Sequence, residues 1–192
     1  MRNFWIALCL LLLGAGPLPA RDGSDAAWDK LRAGAVVALI RHADAPGGVG
    51  DPEGFKLGDC ATQRNLSDKG RAEARALGER LRAERVTVGK VLISQWCRCR
   101  DTAILMDIGN VEEAPTFNNA FVLRDNRESL TEGARAIVAG WNGPGALVVV
   151  THGANILPLT GIQPAELKMI VVEPAPALEK KLRVIGRFSL RS

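Results

Sequence analysis

Several things are scarce in this sequence, and each scarcity closes off a class of function. The longest apolar run, Phe4 to Leu13, is about ten residues, short of the roughly twenty that a bilayer-spanning helix needs. Aromatic residues make up 5% of the chain, and no basic tract accompanies its net charge of +4. That leaves neither a stacking platform nor a positive stripe for nucleic acid. There is no internal repeat and no low-complexity tract. Histidine occurs twice, at His42 and His152, and cysteine four times. Any imidazole chemistry rests on two rings.

The apolar run instead reads as the core of an export leader. Arg2 supplies the positive start, and Gly14 to Ala20 form a segment of small residues and proline. The expectation is cleavage after Ala20 and a single domain over residues 21–192. The location expected is periplasmic or secreted, with no stable membrane insertion after cleavage. Cys9 lies inside the apolar core, a poor context for lipid attachment. Beyond the leader the net charge is +3, a modest excess that fits an anionic substrate. Cys60, Cys97 and Cys99 remain, and an odd count in an exported protein predicts one disulfide and one spare thiol. Cys60 is expected to bridge Cys97 or Cys99. A zinc site on the Cys-x-Cys pair lacks a fourth ligand, both histidines being engaged elsewhere.

Along the chain, strand patterns alternate with helix patterns. Ser24 is placed to cap a helix over Asp25–Arg32, and the first strand spans Ala35–Ile40. A Gly/Pro-rich connection over residues 43–66 follows, long enough to predict a functional loop. Ser67 caps a helix in which Ala74, Leu77 and Leu81 share one face. After Gly89 comes a strand, Lys90–Ser94, then a helical segment ending at Gly109. A weak strand near Ala114–Phe117, a helix over Ser129–Trp141 and a turn at Asn142–Gly145 lead to a third strong strand, Ala146–Thr151. A brief helix over residues 154–160 is broken at Pro158. Strands Lys168–Glu173 and Leu182–Phe188 pair as a terminal hairpin. Such alternation predicts an α/β sandwich with a mainly parallel sheet.

The stretch from Ala38 to Gly48, ALIRHADAPGG, organises the rest. A buried strand stops and releases Arg41 and His42 into a loop, and LVVVTHGAN does the same for His152. Parallel strands that deliver residues at their carboxyl ends place them in the crevice where open α/β sheets bind ligands. Ser94, Arg98 and Thr102 are spaced by four and share a helical stripe, which would bring Arg98 to the same edge and turn Cys97 and Cys99 away. Two arginines and two histidines describe a phosphoryl site. Guanidinium forks match phosphate oxygens, phosphoryl transfer needs positioning and charge neutralisation, and an unprotonated imidazole is a nucleophile. With cationic side chains supplying the charge, no metal or other cofactor is required.

Four segments in register, Ile40-Arg41-His42-Ala43, Leu66-Ser67-x-x-Gly70, Ser94-x-x-x-Arg98-x-x-x-Thr102-Ala103 and Thr151-His152-Gly153, resemble the histidine phosphatase superfamily, also called phosphoglycerate mutase-like. The resemblance covers about residues 35–160 and is nearest the small exported phosphatases. It implies a three-layer α/β/α sandwich and a phosphohistidine intermediate on His42. Arg41, Arg98 and His152 would hold the phosphoryl oxygens, with Arg64 a further substrate-binding candidate and Arg124 or Arg127 behind it. The chain departs from the family at Ser94-Gln95-Trp96-Cys97, where many members read Ser-Pro-Leu, and it has no plain match to the carboxylate that protonates the leaving alcohol. Asp125 is the candidate donor, Glu128 the alternative and Asp44 a third. The activity implied is hydrolysis of a small phosphorylated substrate in the cell envelope. The alternative is a phosphate-binding or regulatory domain of the same fold with little or no turnover. A phosphomutase fits the short chain and the exported compartment poorly.

Overall fold

The computed structural model describes residues 23–174 and 181–189; the leader expected over residues 1–20 lies outside them. The elements run α1 (Gly23–Ala33), β1 (Val37–Arg41), α2 (Asp68–Ala83), β2 (Val88–Ile93), α3 (Cys97–Met106), β3 (Val111–Glu113), α4 (Arg127–Ala139), β4 (Ala146–Thr151), α5 (Gly153–Thr160), β5 (Met169–Val172) and β6 (Val184–Phe188). One six-stranded sheet has the order β3-β2-β4-β1-β5-β6. Its first four strands are parallel, and β5 and β6 are antiparallel to their neighbours.

Alternation along the strands builds two cores. Ala38, Ile40, Val148, Val150 and Val91 face α1, α2 and α3, while Val37, Leu39, Leu147, Val149 and Leu92 face α4 and α5. The result is the three-layer α/β/α sandwich. Ser67 caps α2 as expected, its Oγ accepting from the Gly70 amide at 3.0 Å. Among the described residues no helix is long and apolar enough to cross a membrane.

Several boundaries differ from the pattern-based expectation. The first strand starts at Val37 because Gly34 and Ala35 have φ of +80° and +55°, a left-handed step that an extended strand cannot contain. Gly89 lies inside β2 rather than before it, where the register is irregular; a Cβ there would stand 1.7 Å from the Pro144 carbonyl oxygen. Ser24 falls within α1, not ahead of it. The third strand is Val111–Glu113, since Pro115 opens a short 3-10 turn over Pro115–Phe117. Helix α4 begins two residues before Ser129. Pro158 does not break α5, because the ring follows a full turn and only Leu159 and Thr160 come after it.

Candidate active site

Strands β1 and β4 are parallel neighbours with Arg41 opposite Thr151, and the His42 amide donates to the Thr151 carbonyl at 3.0 Å. The next residues along both strands therefore emerge side by side. His42 and His152 have ring centroids 5.5 Å apart, close enough to share one phosphoryl group. Both are buried, each 3% exposed. Strand β2 ends beside β4, the Ser94 amide donating to the Val150 carbonyl at 3.0 Å, so α3 starts against the same edge.

The hydrogen bonds around each ring set its tautomer. His42 Nδ1 is 2.8 Å from the Ala43 carbonyl; it must carry the proton and donate, which leaves Nε2 with a free lone pair. The Ala43 peptide is fixed in turn by Thr102, whose Oγ1 accepts from the Ala43 amide at 3.0 Å and donates to the Arg98 carbonyl at 2.6 Å. Across the site, His152 Nε2 lies 2.8 Å from Ser94 Oγ and 3.5 Å from Cys99 Sγ. Burial pushes the Cys99 thiol up to about 12, so it keeps its proton, and two X–H groups surround Nε2. The proton of His152 then belongs on Nδ1, which is buried without a partner. Burial, with the guanidinium charges of Arg98, Arg41 and Arg64, lowers His42 to about 3. His152 is held well below the usual histidine range by burial, then by His42 and the same arginines. Both rings are neutral near pH 7.

Arg41, Arg64, Arg98 and Arg127 line the same cleft, of about 720 Å³, with both histidines. Arg98 is clamped by Asp51 through two bonds of 2.6 and 3.1 Å. Asp51 also accepts from Trp96 Nε1 at 2.9 Å and from the Arg64 amide at 3.2 Å. Burial raises the Asp51 carboxyl, but its bonds to Arg98 and Trp96 and the Arg98 charge outweigh this and hold it below its ordinary value. The Nε atoms of Arg98 and Arg64 are buried and unpartnered, an arrangement that suits an anion with oxygens to share. Arg41 donates to the Pro164 carbonyl at 3.2 Å and reaches Glu166 at 3.3 Å.

The structure thus brings together Arg41, His42, Arg64, Arg98 and His152, and adds Arg127 at the wall. It does not bring in the carboxylates considered as proton donors. Asp125, in the 3-10 turn Arg124–Asn126, and Glu128, in the first turn of α4, are exposed and do not line the cleft. Asp44 accepts from the Ser67 hydroxyl at the mouth of α2, facing a different hollow. Arg124 stacks on Phe121 instead of entering. Ser94 precedes α3 and reaches His152 from the strand end, not from a helical stripe. Cys97 pairs with Cys60, as one of the two expected bridges. Cys99 is not turned away: one helical step from Arg98, it lies against His152. Asp51 and the buried Asn119 escaped the sequence reading. Asp51 stands alone in a Gly/Pro loop, and Asn119 sits in a polar stretch with no periodicity. Among the described residues no cluster of three or more His, Cys, Asp or Glu side chains could hold a metal ion.

A sandwich of this topology, with an Arg-His pair at one strand end and a second histidine at the next, is an arrangement similar to that of the histidine phosphatases. The model of the histidine phosphatase superfamily (branch 1) matches residues 37–120, which are therefore similar to that superfamily. A comparison with curated proteins finds no match. Among solved structures, the protein histidine phosphatase SixA complexed with tungstate is similar at a TM-score of 0.50 and 17% identity, over 80% of this chain and 96% of that one. TTHB049 from Thermus thermophilus gives 0.54 and 17%, over 81% and 99%. The open reading frame Rv3214 from Mycobacterium tuberculosis gives 0.52 and 15%, over 78% and 94%. At these identities the likeness is one of fold.

Proposed function

We propose that the protein hydrolyses phosphorylated substrates in the cell envelope, without a metal ion, through a phosphohistidine on His42. The observation that carries this reading is the His42 ring: its Nδ1–H is committed to Ala43, so the lone pair of Nε2 is available in a cleft walled by four arginines. In the first half-reaction Nε2 bonds to phosphorus as the bond to the leaving group breaks. In the second, water attacks phosphorus, the P–N bond breaks, and phosphate leaves with His42 regenerated. Arg41, Arg64 and Arg98 neutralise the phosphoryl oxygens, and His152 Nδ1–H donates to one of them. The tetrahedral oxyanion tungstate named with the SixA relative is the kind of ligand this cradle suits. Envelope location is supported by the leader-like residues 1–20 and by the Cys60–Cys97 disulfide.

His42→Ala should abolish hydrolysis of phenyl phosphate, a loss of at least about a thousandfold in kcat, while EDTA leaves the wild-type rate unchanged. Rapid acid-free quenching during turnover should trap acid-labile, base-stable phosphate on the wild-type chain. Full activity of the variant, or loss of activity with chelator, counts against the reading. That no carboxylate among the described residues lines the cleft favours a silent phosphate-binding module, and trapped phosphate with no release would establish that alternative.

A further inference from the structure

Among the described residues two carboxylates are paired with arginines of the cleft: Asp51 with Arg98, and Glu166 with Arg41 at 3.3 Å. Glu166 does not line the cleft. It stands on the far side of Arg41, on a second hollow of about 290 Å³ in which Lys69 is paired with Glu73 at 3.9 Å. Its side chain is 30% exposed and that of Arg41 25%, and an ion pair so open to water adds little to stability. The backbone is nevertheless strained to put it there. The Leu167 amide donates to the carbonyls of Arg41 and His42, both at 3.1 Å, and the Arg41 amide donates to the Lys168 carbonyl at 3.3 Å. Leu167 does so from φ +55°, a left-handed conformation that a bulky side chain seldom takes. The segment carrying Glu166 is thus fastened directly onto the Arg41–His42 peptide.

Direction and charge are divided between two groups. The Pro164 carbonyl takes Arg41 Nη1 at 3.2 Å while Glu166 faces Nη2, so the fork keeps a neutral anchor if the carboxylate loses its charge. Asp51 differs, holding Arg98 by both terminal nitrogens. The field of Glu166 also reaches past Arg41. Burial, then the Arg98 charge, holds the Arg64 guanidinium below its ordinary range, and the charges that oppose this are those of Asp51 and Glu166. Four guanidinium groups set against these two carboxylates, with both imidazoles neutral, leave two positive charges, and a phosphoryl group brings up to two negative ones. A cleft so balanced binds phosphate and releases it, whereas a third uncompensated charge would retain it.

We propose that Glu166 is a positioning residue acting through Arg41: it offsets one arginine charge and thereby sets how tightly the cleft keeps inorganic phosphate. The proposal rests on the reading of the cleft as a phosphatase site, in which phosphate is the product whatever ester is cleaved.

The test is calorimetry with inorganic phosphate on the full chain at low salt. Glu166→Gln keeps the shape, removes the charge and should bind phosphate about fivefold tighter. Glu166→Asp, which restores the charge, should stay within about twofold of wild type. Raising the salt to about 0.5 M should shrink the gain. Glu73→Gln, which removes an equal charge from the neighbouring hollow, should change phosphate affinity by less than about twofold. In turnover, KM for phenyl phosphate should fall in Glu166→Gln and phosphate should become a stronger inhibitor. Equal or weaker phosphate binding by Glu166→Gln, an equal gain in Glu73→Gln, or a Glu166→Asp protein that binds like Glu166→Gln overturns the proposal. Tighter phosphate binding by Glu166→Gln, in a protein whose wild type hydrolyses no ester, overturns the phosphatase reading while leaving the charge balance in place.

Discussion

At the scale of single residues, the site depends on how charges are held rather than on how many there are. Arg98 enters the sandwich with its side chain 1% exposed, and the 0%-exposed Asp51 carboxylate meets it. Arg41 leans on Glu166, so the guanidinium nitrogens left over, above all Arg64 Nε and Arg98 Nε, are those an incoming oxyanion would satisfy. Removing one partner of a buried pair strands the other, a loss of about 3–5 kcal/mol. Asp51→Asn keeps the shape and drops the charge, and its expected cost is about 3 kcal/mol in urea unfolding. The same variant should raise KM for phenyl phosphate more than it lowers kcat, since Arg98 is released from its fixed angle while His42 keeps its bond to Ala43. A stability within about 0.5 kcal/mol of wild type would show that the clamp contributes nothing.

Between residues and the molecule stands the connection from His42 to Ser67. It carries Asp51 and Arg64, and it is fastened to the start of α3 by the Asp51–Arg98 pair, the Cys60–Cys97 disulfide and the Cys97 amide donating to Gln63 Oε1 at 3.0 Å. Closing a loop across a sequence separation of 37 is worth about 4 kcal/mol in the chain-entropy account. Cys60→Ser should therefore lower stability by roughly 2–4 kcal/mol and raise KM for phenyl phosphate, and a reducing agent should reproduce both in wild type but change nothing in the variant. This connection is also where sequence and structure part. The residues at strand ends, His42, His152 and Arg41, were legible because an apolar run that stops at a polar residue announces its own direction. Arg98 was legible from its spacing to Thr102. Asp51 was not, since its partner is 47 residues away and no periodicity joins a loop to a helix it folds back upon. Nor was the contact of Cys99 with His152, which depends on where α3 begins: Trp96 ends the extended segment, and helix spacing cannot be counted back to Ser94.

For the whole molecule, the parallel pair β1 and β4 is the decisive feature, because it sets two histidines at the centre of the sheet edge, shielded by both helical layers. The fold accepts them only as neutral rings: burial, reinforced by the arginines, takes His42 down to about 3 and His152 well below its ordinary value. In the unfolded chain each titrates near 6.5. Above that pH neither state binds the protons and the rings leave stability untouched. Below it the unfolded state takes up protons that the folded state refuses, and stability falls with pH until the folded rings themselves titrate, at about 3 for His42. The slope is about 1.4 kcal/mol per pH unit for each ring. Between about pH 6.5 and 4.5 the two together should remove on the order of 5 kcal/mol, enough to unfold many domains of this size. Asp51 adds nothing in that window, since its carboxyl is ionised in both states there, and contributes its own loss only below about pH 4. Urea unfolding at half-unit steps of pH should show this decline, and His42→Gln should about halve its slope. A flat profile over the same interval, or a variant slope equal to wild type, would mean that the rings accept protons inside the fold, and with that His42 would lose its claim to be an always-available nucleophile.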